Sequence, residues 1–144
     1  MNENNIIYFN TRDELTRINL ADVMCFESDS CYVNIVLRNS LTQTLLASLN
    51  NIETITSTLP YPHFMRVGRK HIINLSYLTH INIQKAQLTL ADSTSSRPVT
   101  LSASRESLRL LKQNIKEKHP DTIANFKASN CNMEAFFDTP DSNS

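Results

Sequence analysis

A chain of 144 residues with 40% hydrophobic and 19% charged side chains is long enough for one folded core and short for two, and it has no apolar run near the roughly 20 residues that a bilayer span needs. Its single glycine, Gly68, excludes glycine-rich phosphate loops. Cys25, Cys31 and Cys131, odd in number and without a C-x-x-C pair, indicate neither a disulfide framework nor a metal site.

The N-terminus, Met1-Asn2-Glu3-Asn4-Asn5, lacks the basic flank and apolar stretch of a secretory signal, so a cytoplasmic location with no membrane contact is expected. The zero net charge is unevenly spread: residues 1–59 carry 3 basic and 7 acidic side chains, residues 60–118 carry 10 and 3, and residues 119–144 carry 1 and 4. A basic middle lies between acidic flanks, and binding depends on where charge sits more than on its sum.

Residues 6–9 (Ile-Ile-Tyr-Phe) and 15–20 read as strands, the second by alternation, and residues 22–27 and 32–37 follow as β-prone segments around a turn at residues 28–30. A turn at residues 38–40 leads into residues 41–46, a hairpin partner. Ser48 then suits a helix N-cap, with Leu49, Ile52, Ile55 and Leu59 on one face and Pro60 and Pro62 as the stop. Residues 64–67, 72–75, 78–83, 87–90 and 98–101 are short apolar segments separated by polar turns, too closely spaced for helices. A second helix, capped by Ser102 or Ser104, has Leu108, Leu111 and Ile115 as its buried stripe and Arg109, Lys112 and Lys116 facing out, and it ends by Pro120. Residues 120–144 read as a loosely held tail with scattered apolar groups, including Ile123, Phe126, Met133, Phe136 and Phe137. No internal repeat is apparent.

No catalytic constellation stands out. His63, His71, His80 and His119 are isolated and read as surface or half-buried side chains, and Cys25 suits a strand core. Cys31, beside a turn, is the one thiol that an enzyme reading could use, and it would need a neighbouring histidine that the sequence does not place. The densest basic feature is Arg66-Val67-Gly68-Arg69-Lys70-His71, which composition alone leaves open between a solvated turn and a surface for an anionic polymer.

Several segments together resemble the LytTR family of bacterial DNA-binding regulators over about residues 6–118. They are Asp22-Val23-Met24-Cys25-Phe26-Glu27, the tyrosine-led Tyr32-Val33-Asn34-Ile35, the helix closing at Leu59-Pro60, and Phe64-Met65-Arg66-Val67 with Arg69, Lys70 and Asn74. The entry to the last helix at Ser102, Ser104 and Arg105 completes the pattern. The resemblance implies a mainly β fold of about ten short antiparallel strands with two short helices, a DNA-binding domain over residues 1–119 and a C-terminal tail over 120–144. It implies no enzyme activity and no cofactor. The implied partner is double-stranded DNA with repeated half-sites, read by loops entering successive major grooves, with a homodimer on DNA left open.

Carried onto this chain, the first loop holds Ser30, Cys31 and Tyr32, the second Gly68, Arg69 and Lys70, and the third Ser104 and Arg105. Arg69 and Arg105 can each donate two parallel hydrogen bonds to guanine, and Lys70 can reach a base or a phosphate. Arg66 is expected in an ion pair within the fold. Gly68 stands where relatives often have histidine, and Ser30-Cys31 stand where they often have Gly-Asn, which removes an asparagine that could read adenine. Relatives commonly attach this domain to a receiver or a membrane segment; this sequence reads as a stand-alone output module, with its tail docking on the domain or on a partner. The alternative is a protein-interaction or antagonist module that kept the fold and has weak DNA affinity.

Overall fold

The computed structural model describes residues 5–39, 41–93 and 97–126. Ten strands and two α-helices are formed among them: β1 (Ile6–Asn10), β2 (Leu15–Asn19), β3 (Val23–Asp29), β4 (Tyr32–Leu37), β5 (Thr42–Leu46), α1 (Leu49–Thr58), β6 (Phe64–Val67), β7 (His71–Asn74), β8 (Leu78–Asn82), β9 (Gln87–Leu90), β10 (Val99–Ser102) and α2 (Arg105–Lys118). All pairings are antiparallel, which is the mainly β fold expected from the sequence. The strands form three sheets, in the orders β1-β2, β10-β9-β8 and β5-β4-β3-β7-β6.

The central strands of the five-stranded sheet differ from its edge in a way their composition dictates. Four successive residues of β3, from Val23 to Phe26, are buried, as are all four of β7. In β3 this burial on both faces falls on a continuous apolar run, residues 23–26, and in β7 on Ile72 and Ile73 between two polar residues, His71 and Asn74. Edge strand β5 exposes every residue but Leu45. Phe26 is fully buried, edge-on to Phe9 at 6.4 Å between ring centroids and tilted against Phe64 at 5.4 Å. Such burial stabilises by about 1.5–3 kcal/mol. Around it gather Ile18, Leu20, Val33, Ile35, Leu45 and Ile72, closed by Leu49 and Ile52 of α1. Ser48 caps α1 by accepting from the Asn51 N–H at 3.1 Å.

Two sequence segments, Ile18-Asn19-Leu20-Ala21-Asp22-Val23 and Ile73-Asn74-Leu75-Ser76-Tyr77-Leu78, adopt the same local turn conformation. In each, an asparagine ends a strand and its side-chain oxygen caps a single 3-10 turn, accepting from Ala21 N–H at 3.0 Å or Ser76 N–H at 2.9 Å. The two turns are tied together. Asn74, fully buried, donates to the Val23 carbonyl at 2.9 Å and to the Tyr61 hydroxyl at 3.1 Å, and the Tyr77 hydroxyl donates to the Ala21 carbonyl.

The described residues divide into two compact units that meet between Leu108 and Arg109, inside α2. In the first, Leu108 is buried at the start of α2; in the second, Leu111 is buried and Ile115 half-buried, while Lys112, expected to face out, is also half-buried. A 3-10 turn at Pro120–Thr122 follows. Phe126 is 87% exposed. Met133, Phe136 and Phe137, expected to dock, lie outside the described residues.

Candidate nucleic-acid interface

The turn between β6 and β7 is built around one arginine. Val67 pairs with His71, leaving residues 68–70 as a three-residue loop, and Gly68 enters it at φ +70°, a left-handed conformation that costs a glycine little. The Arg66 guanidinium reaches in two directions. Nη1 donates to Glu53 Oε1 at 2.8 Å and Asn50 Oδ1 at 2.9 Å on α1, while Nε donates to the Gly68 carbonyl at 3.0 Å and Nη2 to the Arg69 carbonyl at 3.1 Å. Arg66 therefore ties the turn's backbone to α1, in the ion pair within the fold expected from the sequence. Its neighbours in the motif have no such engagement. Arg69 and Lys70 are exposed, and neither has an acidic partner among the described residues.

The β3–β4 turn lies alongside, because β3 pairs with β7 and the Ser28 N–H donates to the Lys70 carbonyl at 2.9 Å. The sequence placed this turn at residues 28–30. In the structure β3 continues to Asp29, which pairs with Tyr32, so the turn is the two residues Ser30 and Cys31. Ser30 has φ 62°, Cys31 is exposed and Tyr32 is 45% exposed. The turn carries no cation. Its nearest charge is Asp29, which accepts from Asn34 Nδ2 at 3.4 Å.

The third expected contact lies at the start of α2. Ser104, rather than Ser102, is the cap: its hydroxyl oxygen accepts from the Ser107 N–H at 3.1 Å. Arg105 is exposed in the first turn, and its Nη2 donates to the Gln84 carbonyl in the β8–β9 turn at 2.9 Å. One hydrogen bond leaves the rest of the guanidinium fork available.

A cleft of about 550 Å³ runs between the β6–β7 turn and the β8–β9 turn with the start of α2, lined by Gly68, Arg69, Lys70 and His71 on one side and by Lys85, Ala86, Ser102, Ser104 and Ser107 on the other. Of the six expected site residues, Arg69 and Lys70 line the cleft, Arg105 is tied to the turn that borders it, and Ser30, Cys31 and Tyr32 occupy the neighbouring turn. Sequence reasoning passed over the β8–β9 turn. Its only signal was Lys85 within the polar stretch between two short strands, counted in the basic block but not placed.

His71 was expected at or near the surface and is 6% exposed, because β7 is covered on both faces. Its Nε2 lies 3.4 Å from Glu27 Oε2 on β3 without the alignment of a hydrogen bond. Burial lowers its pKa below the ordinary 6.5, Glu27 opposes that shift and Lys70 adds to it. Burial also pushes the Cys25 thiol up to about 12, aided by Glu27, so Cys25 is an inert core residue. Among the described residues no group of three or more histidine, cysteine or carboxylate side chains could hold a metal ion, and no helix is long and apolar enough to cross a membrane.

The chain resembles a solved LytTr DNA-binding domain of a Bacillus cereus protein described as a methyl-accepting/DNA response regulator. The TM-score is 0.56 at 20% identity, covering 77% of this chain and 96% of that one, a likeness of fold. No curated protein matches the chain. The family model of the LytTr DNA-binding domain matches residues 4–116, and by that match the chain belongs to the LytTR family of DNA-binding domains.

Proposed function

We propose that this chain binds double-stranded DNA in a sequence-specific manner to regulate bacterial transcription, its turns entering successive major grooves of repeated half-sites. Residues 1–119 form the DNA-binding domain and residues 120–144 a tail, and two copies on DNA would match repeated half-sites. The observation that carries this reading is the cluster of exposed, acid-unpartnered Arg69 and Lys70 on a turn whose backbone Arg66 holds rigid, with Arg105 fixed nearby by Gln84. A side chain reaching a base edge gains most from a support that does not have to be ordered on binding. Arg69 and Arg105 read guanine in this account, and Lys70 contacts a base or phosphate. Ser30, Cys31 and Tyr32 make the contacts of the adjacent turn.

The test is selection of bound duplexes from a random library, followed by salt titration on the selected site. A specific reader yields a recurring motif whose affinity falls with a log-log slope of about 0.9 per phosphate contact, and Arg105→Ala costs about 1–3 kcal/mol on that site. No binding to any duplex at low salt would overturn the proposal in favour of a protein-interaction module, a reading to which the uncharged Ser30-Cys31 turn beside Asp29 lends some support.

A further inference from the structure

Three residues in the described structure have left-handed backbone: Gly68 at φ 70°, Ser30 at φ 62° and Ala86 at φ 58°. Two of them shape the turns already assigned to DNA. The third shapes the β8–β9 turn, where nothing in the family pattern carried over from the sequence places a contact. A left-handed alanine is strained by its Cβ, and it persists only where neighbouring structure over-determines it. Here that structure is visible. The Lys85 N–H donates to Asn82 Oδ1 at 3.0 Å, the Ala86 N–H to the Ile83 carbonyl at 3.0 Å, and the Ala103 N–H to the Ala86 carbonyl at 3.1 Å, while Arg105 holds the Gln84 carbonyl at 2.9 Å. Every residue from Asn82 to Ala86 is thus fixed, with Lys85 exposed at the tip, without an acidic partner among the described residues, and lining the same cleft as Arg69 and Lys70.

We infer that the β8–β9 turn is a further DNA contact, in which Lys85 holds a backbone phosphate across the cleft from Arg69 and Lys70. The inference rests on the DNA-binding reading above and adds a contact to it. Lysine on a short, fixed turn suits a phosphate better than a base edge, because an ammonium is a point charge without the planar fork that selects guanine. Arg105 gains a second role. By holding Gln84 it couples the position of a base reader to that of a phosphate contact, so both register on the duplex together.

The experiment compares wild type, Lys85→Gln, Lys85→Arg and Arg69→Ala on the selected duplex and on a scrambled duplex over a range of salt. Removing one phosphate contact lowers the salt slope by about 0.9 and weakens binding about fivefold at 0.15 M salt. Lys85→Gln should do this equally on both duplexes, Lys85→Arg should restore it, and thermal unfolding should not change, since the exposed ammonium supports nothing in the fold. Unchanged affinity and slope in Lys85→Gln, while Arg69→Ala still weakens the selected duplex, would overturn the Lys85 contact and leave the DNA reading intact. Loss confined to the selected duplex would also overturn it, by making Lys85 a base reader. Absence of wild-type binding to either duplex would remove both.

Discussion

Two turns lie side by side in the five-stranded sheet, joined by the hydrogen bond from Ser28 to the Lys70 carbonyl, and they are built on opposite principles. The β6–β7 turn presents two cations, and a third, Arg66, is withdrawn from the surface to hold its carbonyls against α1. The β3–β4 turn is the shortest a hairpin allows, carries no cation, and has Asp29 as its nearest charge. Identical residue types have opposite uses within one motif: Arg66 and Arg69 are three positions apart, and the first is invested in the fold while the second faces solvent. Affinity for a polyanion should therefore come mainly from the β6–β7 side, and the β3–β4 side should contribute shape and polar contacts.

The largest break in that comparison should come from Arg66→Ala. It removes the bonds to Glu53, Asn50 and two turn carbonyls, and because the side chain is 22% exposed the loss is expected at about 1–3 kcal/mol, read as a lowered denaturation midpoint. DNA affinity should fall as well, since the turn must then be ordered on binding. A matching loss in an Asp29→Ala variant would contradict the asymmetry, because Asp29 has only one long bond to Asn34.

Acid should act next, through the β3–β7 pair beneath both turns. The folded-state pKa of His71 lies below the ordinary 6.5, so the unfolded chain binds more protons as pH falls beneath that value. The stability associated with a neutral His71 is present above 6.5 and is lost as pH drops toward the lowered folded pKa. In His71→Gln the loss of stability below pH 6.5 should be shallower, as measured by denaturant midpoints across pH; an identical acid slope would contradict the burial argument.

Smaller effects should sharpen the comparison. Ser30→Gly should stabilise by about 0.5–1 kcal/mol by relieving a left-handed serine, with the glycine's extra chain entropy subtracted. Asp29→Asn should tighten DNA binding by a few tenths of a kcal/mol, about the scale of an exposed charge pair, and the gain should shrink with salt. Binding weakened by that change would show the carboxylate to be a contact rather than a repulsive neighbour.

How much of this was legible beforehand depends on the range of the interaction. The strands of the meander were visible because each is a short β-prone run bounded by polar turns, and α1 was visible because Ser48 caps a three-four apolar spacing that ends at two prolines. The pairing of β3 with β7 was not, since nothing local in Val23–Asp29 names a partner beyond α1 in the chain. Their burial on both faces, which also hides His71, follows from that pairing and was missed with it. The paired asparagine turns escaped notice because six residues matching at three positions are weak as a pattern, although both asparagines cap in the same way. At the candidate site, the family resemblance pointed to Arg69, Lys70 and Arg105, where residue types alone left a solvated turn equally open, while the tie between Arg105 and Gln84 and the placement of Lys85 needed the β8–β9 turn to be folded back on the start of α2.

The most direct test of the account is the base preference of Arg69→Ala beside that of Tyr32→Ala, each obtained by selection from the same random duplex library. Arg69→Ala is expected to lose about 1–3 kcal/mol on the wild-type motif and to relax the preference for guanine at one position of each half-site, while Tyr32→Ala loses less and keeps that guanine. An unchanged motif and affinity in Arg69→Ala would contradict it.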